Sequence, residues 1–195
     1  MSVVCLTKGQ KVELTKGRAG LSKIIVGLGW DTNKFKGPDF DLDASAFLLN
    51  NLGRCPSPAD FVFYNNLTHS SGAVVHQGDN LVGGSGAGRG DDEQIKIDLA
   101  LLPAFVDDIG IAVTIHEATQ RKQNFGLVSN AFVRVVDADS GQELMRYNLS
   151  EDYSTETALL FCNIYRQGAD WKFAAVGSGF DNGLAGLCTM YGLSV

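Results

Sequence analysis

Proline and cysteine are scarce in this chain of 195 residues, at four each, and both scarcities exclude something. Cys5, Cys55, Cys162 and Cys188 are scattered and make no C-x-x-C pair, which argues against a disulfide framework or a zinc knuckle. Reduced thiols in a cytoplasmic protein are the expectation. Long apolar runs are missing as well. The longest, Leu99–Val106 and Ile109–Ile115, fall far short of the roughly 18 residues that a membrane-spanning helix needs, so no transmembrane segment is expected. The opening MSVVCLTKGQ has neither a basic start nor an apolar stretch, so no signal peptide is expected. Positive charge is in deficit, with 16 Lys and Arg against 22 Asp and Glu and a net charge of −6. Binding nucleic acid through a global positive field is therefore excluded. The histidines, His69, His76 and His116, show no zinc-ligand spacing.

Glycine, by contrast, is abundant at 23 residues, which suits a sheet protein with tight turns. Short apolar or alternating runs recur at Lys11–Leu14, Lys23–Trp30, Asp41–Leu49, Asp60–Tyr64, Val74–Gln77, Ile95–Leu99, Ile109–His116, Ala131–Val136, Glu143–Leu149 and Trp171–Val176. They predict a mainly β protein built as a two-sheet antiparallel β-sandwich. A few short helices, mostly C-terminal, are expected to cover it. Ser154 caps one expected helix, in which Leu160, Phe161, Ile164 and Tyr165 share a face. Leu184, Leu187, Cys188 and Tyr191 mark another that ends at Gly192, and Thr119–Asn124 a third. The tetrad Leu6-Thr7-Lys8-Gly9 recurs as Leu14-Thr15-Lys16-Gly17, at hairpin scale. Gly83–Gly90 reads as a flexible loop.

The acids are unevenly placed. Asp31, Asp39, Asp41, Asp43, Asp79, Asp91, Asp92 and Glu93 all lie at strand ends or in adjoining loops, and the other 14 are outnumbered by 16 bases. Asp39, Asp41 and Asp43 alternate with Phe40, Leu42 and Ala44. In an extended chain that puts carboxylates on one side, about 6.6 Å apart, and apolar groups on the other. No Lys or Arg lies between Gly37 and Gly53 to offset the repulsion. A hard dication with oxygen ligands does so, and calcium is favoured over magnesium by the many carboxylates and Gly-rich loops. An EF-hand is excluded, because from Asp39 its glycine position holds Ala44 and its glutamate position Asn50.

Familiar catalytic patterns are absent. Gly83 and Gly88 have phosphate-loop spacing, but Arg89-Gly90 stand where Lys and Ser or Thr are needed. His116-Glu117 opens like H-E-x-x-H, but Gln120 holds the last place, and no G-x-S-x-G occurs. Arg121-Lys122 reads as an isolated basic pair on a helix surface, and Ser70 and Ser71 beside His69 as turn residues.

Several motifs resemble the TerD family of tellurite-resistance and stress proteins: Gly27-Leu28-Gly29-Trp30-Asp31, Phe40-Asp41-Leu42-Asp43-Ala44-Ser45-Ala46-Phe47, Phe63-Tyr64-Asn65-Asn66-Leu67, Gly78-Asp79-Asn80, Asp91-Asp92-Glu93, Val113-Thr114-Ile115-His116 and Ser154-Thr155-Glu156-Thr157-Ala158. They run in order along nearly the whole chain, as one TerD-like domain over 1–195. The resemblance implies a β-sandwich with about two Ca2+ ions in acidic loops at one end. Carried over by motif, the candidate ligands are Asp31, Asp39, Asp41, Asp43, Asn66, Asp79, Asp91, Asp92 and Glu93. It also implies a non-catalytic bacterial stress-response module that assembles with other Ter proteins, a membrane-spanning partner among them. Cyclic-nucleotide binding and metal-assisted hydrolysis are the alternatives. In one respect the sequence departs from the family: Leu81–Gly90 is longer than the usual stretch and has no acid.

Overall fold

A computed structural model describes residues 3–31, 39–78, 90–149 and 153–194. Its strands are β1 (Val4–Leu6), β2 (Lys11–Glu13), β3 (Lys23–Gly29), β4 (Leu42–Leu49), β5 (Phe61–Val62), β6 (Val74–His76), β7 (Glu93–Asp98), β8 (Asp108–Ile115), β9 (Phe132–Asp137), β10 (Glu143–Asn148), β11 (Ala158–Gln167) and β12 (Asp170–Phe180). The helices are α1 (Ala118–Arg121) and α2 (Gly183–Met190). Sheet A has the order β1-β10-β9-β3-β7-β6, and sheet B the order β2-β12-β11-β8-β4-β5. The expected two-sheet sandwich is present. Its pairs are antiparallel except β1 with β10, which run parallel.

Alternation explains the core. Ile24, Val26 and Leu28 of β3, Ile95 and Ile97 of β7 and Val133 and Val135 of β9 face Leu42, Ala44, Ala46 and Leu48 of β4 and Ile109, Ile111 and Val113 of β8 across the sandwich. A second, smaller cluster lies on the other side of sheet B. There Phe47, Leu49, Phe61 and Ala112 pack beneath Leu187, Cys188 and Tyr191 of the C-terminal segment. Helix α2 is the one expected around Leu184–Tyr191, and Gly192 follows it.

Three expectations need correction. The helix capped by Ser154 is a strand, β11. It sits between β8 and β12, buried by the sandwich on one face and by the α2 cluster on the other, so its residues are apolar without strict alternation. A register shift between Leu160 and Cys162 breaks the period further and imitates helical spacing. The helix expected at Thr119–Asn124 shrinks to the single turn α1, with Glu117 and Lys122 in left-handed conformations at its ends. The repeated tetrads are matching turns, closed by Gln10 N–H to Thr7 O and by Arg18 N–H to Thr15 O. The strands before them do not form a hairpin, since β1 joins sheet A and β2 joins sheet B. The loop reading of Gly83–Gly90 lies outside the described residues save for Gly90.

A half-buried carboxylate lies away from the acidic segments. Asp108, at the start of β8, accepts a hydrogen bond from Asn163 at 2.6 Å. Burial outweighs that bond and pushes its carboxyl up to about 6. The folded chain therefore holds this proton between the unfolded value of 3.8 and about 6 and loses stability as pH rises through that window. Asp108→Asn is expected to raise the urea midpoint at pH 7. Repeating the unfolding near pH 4 should show the advantage gone.

Candidate metal centre

The ends of β3 and β8 and the starts of β4 and β7 meet at one end of the sandwich, because these strands pair antiparallel. The acids cluster there. Phe40, Leu42 and Ala44 are 2%, 1% and 1% exposed, all in the main core. Their burial turns Asp41 and Asp43 to the opposite face, where each is only 6% exposed. Asp39, the first of the three, is exposed.

Each acid has identifiable neighbours. His116 N–H donates to Asp41 O at 2.8 Å, closing the β4–β8 ladder. The His116 ring follows, with Nδ1 3.7 Å from Asp43 Oδ2. Arg121 of α1 places Nη2 3.4 Å from Asp41 Oδ2 and Nε 3.7 Å from Glu117. Arg121 is thus a counter-ion of the acidic end and not the isolated surface base the sequence suggests. Asp31 accepts from Asn130 Nδ2 at 2.8 Å. Asn66 closes a tight turn, pairing its backbone with Phe63 and donating its amide to Phe61 O at 2.7 Å.

The run Asp91-Asp92-Glu93 divides its work. Asp91 lies over Gly27, where there is no room for a Cβ. Both its oxygens accept from Arg134, at 2.6 and 3.2 Å, and one also from Gln94 at 2.9 Å. Asp91 is therefore committed to anchoring β7 against β3 and β9, which weakens its case as an ion ligand. Arg134 also reaches Glu143 at 2.9 Å, and hydrogen bonds from Arg146 and then Arg134 hold the Glu143 carboxyl below its usual range. Asp92 accepts the Trp30 N–H at 2.9 Å, while its own N–H donates to Leu28 O. Glu93, 2% exposed, turns inward and accepts the Ala44 N–H of β4 at 2.5 Å.

Arg134 and His76 went unread in the sequence as partners of these acids. Their placement depends on strand pairing, for which no local pattern exists. Asp79 lies outside the described residues. Among the described residues, no three Asp, Glu, His or Cys side chains converge to hold a metal ion. Those present do fit part of a calcium site, because the donor set is carboxylate oxygen held on rigid strand ends.

Elsewhere, Asp60 Oδ1, His69 Nε2, His69 Nδ1 and Ser71 Oγ form a chain with links of 3.0 and 2.7 Å. Ser71 Oγ also accepts the Ala73 N–H within the same turn, so the chain locks the hairpin to the Pro58–Asp60 turn. All four cysteines are free thiols, Cys5 exposed and the others buried. Burial, then the nearby Asp60 charge, pushes the Cys55 thiol up to about 12, and burial also raises Cys162 and Cys188.

Fold and site together define a two-sheet sandwich with a carboxylate-rich end. A solved structure of a homologue of telluride resistance protein (TerD) from Streptomyces coelicolor A3(2) superposes with a TM-score of 0.71, covering 90% of this chain and 100% of that one at 22% identity. The TerD domain profile matches residues 1–191, and the chain belongs to the TerD family of stress-response and tellurium-resistance proteins. General stress protein 16U of Bacillus subtilis is 56% identical over 193 residues, and tellurium resistance protein TerD of Serratia marcescens 51% identical over 191. Each comparison spans 98% of both chains.

Arg134→Met leaves the Asp91 carboxylate buried against Gly27 without its ion pair, and a loss of about 3 kcal/mol is expected in urea unfolding. The double variant Arg134→Met with Asp91→Leu should recover part of that loss, since it removes the stranded charge.

Proposed function

We propose that this chain is a calcium-binding, non-catalytic stress-response module of the tellurium-resistance type, holding about two Ca2+ ions at the acidic end. It acts by assembly with other Ter proteins, including a membrane-spanning partner. The observation that carries this reading is the pair Asp41 and Asp43, each 6% exposed, fixed on one face by apolar neighbours locked into the core. Two like charges buried side by side repel, and a dication between them would discharge both. Asp31, Asp39, Asp92, Glu93 and Asn66 lie at or near the same end, and Asp79, outside the described residues, is kept as a candidate by its motif. No helix of the described chain is long and apolar enough to cross a membrane.

Direct thiol chemistry on tellurite finds little support. Attack needs a thiolate, and Cys55, Cys162 and Cys188 are buried with raised pKa values.

Calorimetric titration of chelator-treated protein with Ca2+ and Mg2+ tests the reading. Calcium should bind with a stoichiometry near two and bring the formal charge of −6 to −2. At a hundredfold excess over Kd the folded form gains about 2.7 kcal/mol per site, seen as a higher Tm. An unchanged melt in saturating calcium would sink the assignment.

Two substitutions should move affinity in opposite directions. Asp41→Ala should abolish most of the heat of one site. Arg121→Gln should tighten binding, because a guanidinium 3.4 Å from Asp41 competes with an incoming cation.

A further inference from the structure

His76 is 3% exposed, at the end of β6, and faces two ways. Its Nδ1 accepts the Gly78 N–H at 3.2 Å. That bond leaves the ring proton on Nε2. Nε2 lies 3.6 Å from Glu93 Oε2, an N–H facing a carboxylate beyond hydrogen-bond range, and among the described residues it makes no hydrogen bond. The same Glu93 oxygen accepts the Ala44 N–H at 2.5 Å. Ala44 donates there because β5 is only two residues long and pairs with β4 no further than Ala46. Gln77 N–H to Gln94 O, at 2.9 Å, brings the two chain segments side by side.

We propose that His76 is a positioning residue that clasps sheet A to the acid-bearing strand of sheet B. One ring holds Gly78 on the outgoing segment and aims Glu93 of the returning segment at Ala44, which lies between Asp43 and Ser45. The clasp stands on geometry. Its purpose, holding Asp41 and Asp43 in register with Asp92 for an ion, rests on the calcium reading above. Glu93 is then a link between the sheets, and its backbone bond is kept when an ion is absent.

The two halves of the ring can be replaced separately. In His76→Gln the side-chain amide sits where Nε2 was and still faces Glu93. In His76→Asn the carbonyl sits where Nδ1 was and still accepts from Gly78. Amide exchange at Ala44 and Gly78, followed in chelator, reads the clasp without any ion. In His76→Asn the Ala44 amide should exchange about tenfold faster while Gly78 stays protected, the loss of a buried N–H facing the Glu93 charge. In His76→Gln the pattern reverses. Ile111, deep in β8, should be unchanged in both. Should His76→Asn fold poorly, Glu93→Asp withdraws the acceptor by one methylene and should speed Ala44 with His76 intact.

Terbium, which takes calcium's oxygen ligands, reads the purpose. Trp30 adjoins Asp31 and Asp92 and can sensitise its emission, while Trp171 sits against Arg166 at the far end of β11 and β12. His76→Asn should weaken terbium binding about tenfold, and His76→Gln should restore it. Unchanged Ala44 exchange in His76→Asn, or equal acceleration at Ile111, overturns the proposal. If wild-type protein shows no terbium emission that calcium displaces, and Ala44 still responds, the clasp stands and the calcium reading falls.

Discussion

The acidic end depends on the register of β4. Phe40, Leu42 and Ala44 bury themselves between the sheets, and β4 pairs residue for residue with β8 from Leu42–Ile115 to Leu49–Asp108. A slip of one residue would exchange the faces, putting Asp41 and Asp43 into the hydrocarbon core. Each large apolar side chain buried contributes about 1.5–3 kcal/mol, and an unpaired carboxylate in that core costs several. Both forces favour the same register. The carboxylates are therefore held close by apolar packing on the far side of their own strand, and not by any attraction among themselves.

Once placed, each carboxylate is satisfied differently. Asp91 takes a guanidinium, Asp92 and Glu93 take backbone amides of neighbouring strands, and Asp41 and Asp43 take the looser contacts of Arg121 and His116. The tight partners fix the scaffold. The Arg121 and His116 contacts are longer, at 3.4 and 3.7 Å. The stress-response and tellurium-resistance relatives align with this chain almost end to end.

The sandwich and the acidic face were legible in the sequence because both are local patterns. Asp39 to Ala44 alternates within six residues, and Ile95 to Leu99 shows one wet and one dry face. Asp39 itself departs from the pattern, being exposed where the chain has not yet entered β4. The failure at β11 has a physical cause, since a strand covered on both faces has no polar side to display, and its bulge disturbs the period. The partners were illegible for another reason. Arg134 lies 43 residues from Asp91, and only the pairing of β3 with both β7 and β9 brings them together. The same holds for His76, which reads as an ordinary strand residue until Glu93 arrives from the adjacent strand.

The first two strands part company, β1 to sheet A and β2 to sheet B, and their partners come late. Val4 pairs with Met145, and Glu13 with Lys172. During synthesis β1 and β2 emerge well ahead of β10 and β12, the strands they pair with. At about 5–20 residues per second, roughly 10–30 s pass before β10 and β12 leave the ribosome. Neither β1 nor β2 can join its sheet until β10 and β12 exist, so the nascent chain carries two unpaired β segments over that interval. The charged residues of that stretch, Lys8, Lys11, Glu13, Lys16 and Arg18, keep it soluble while it waits.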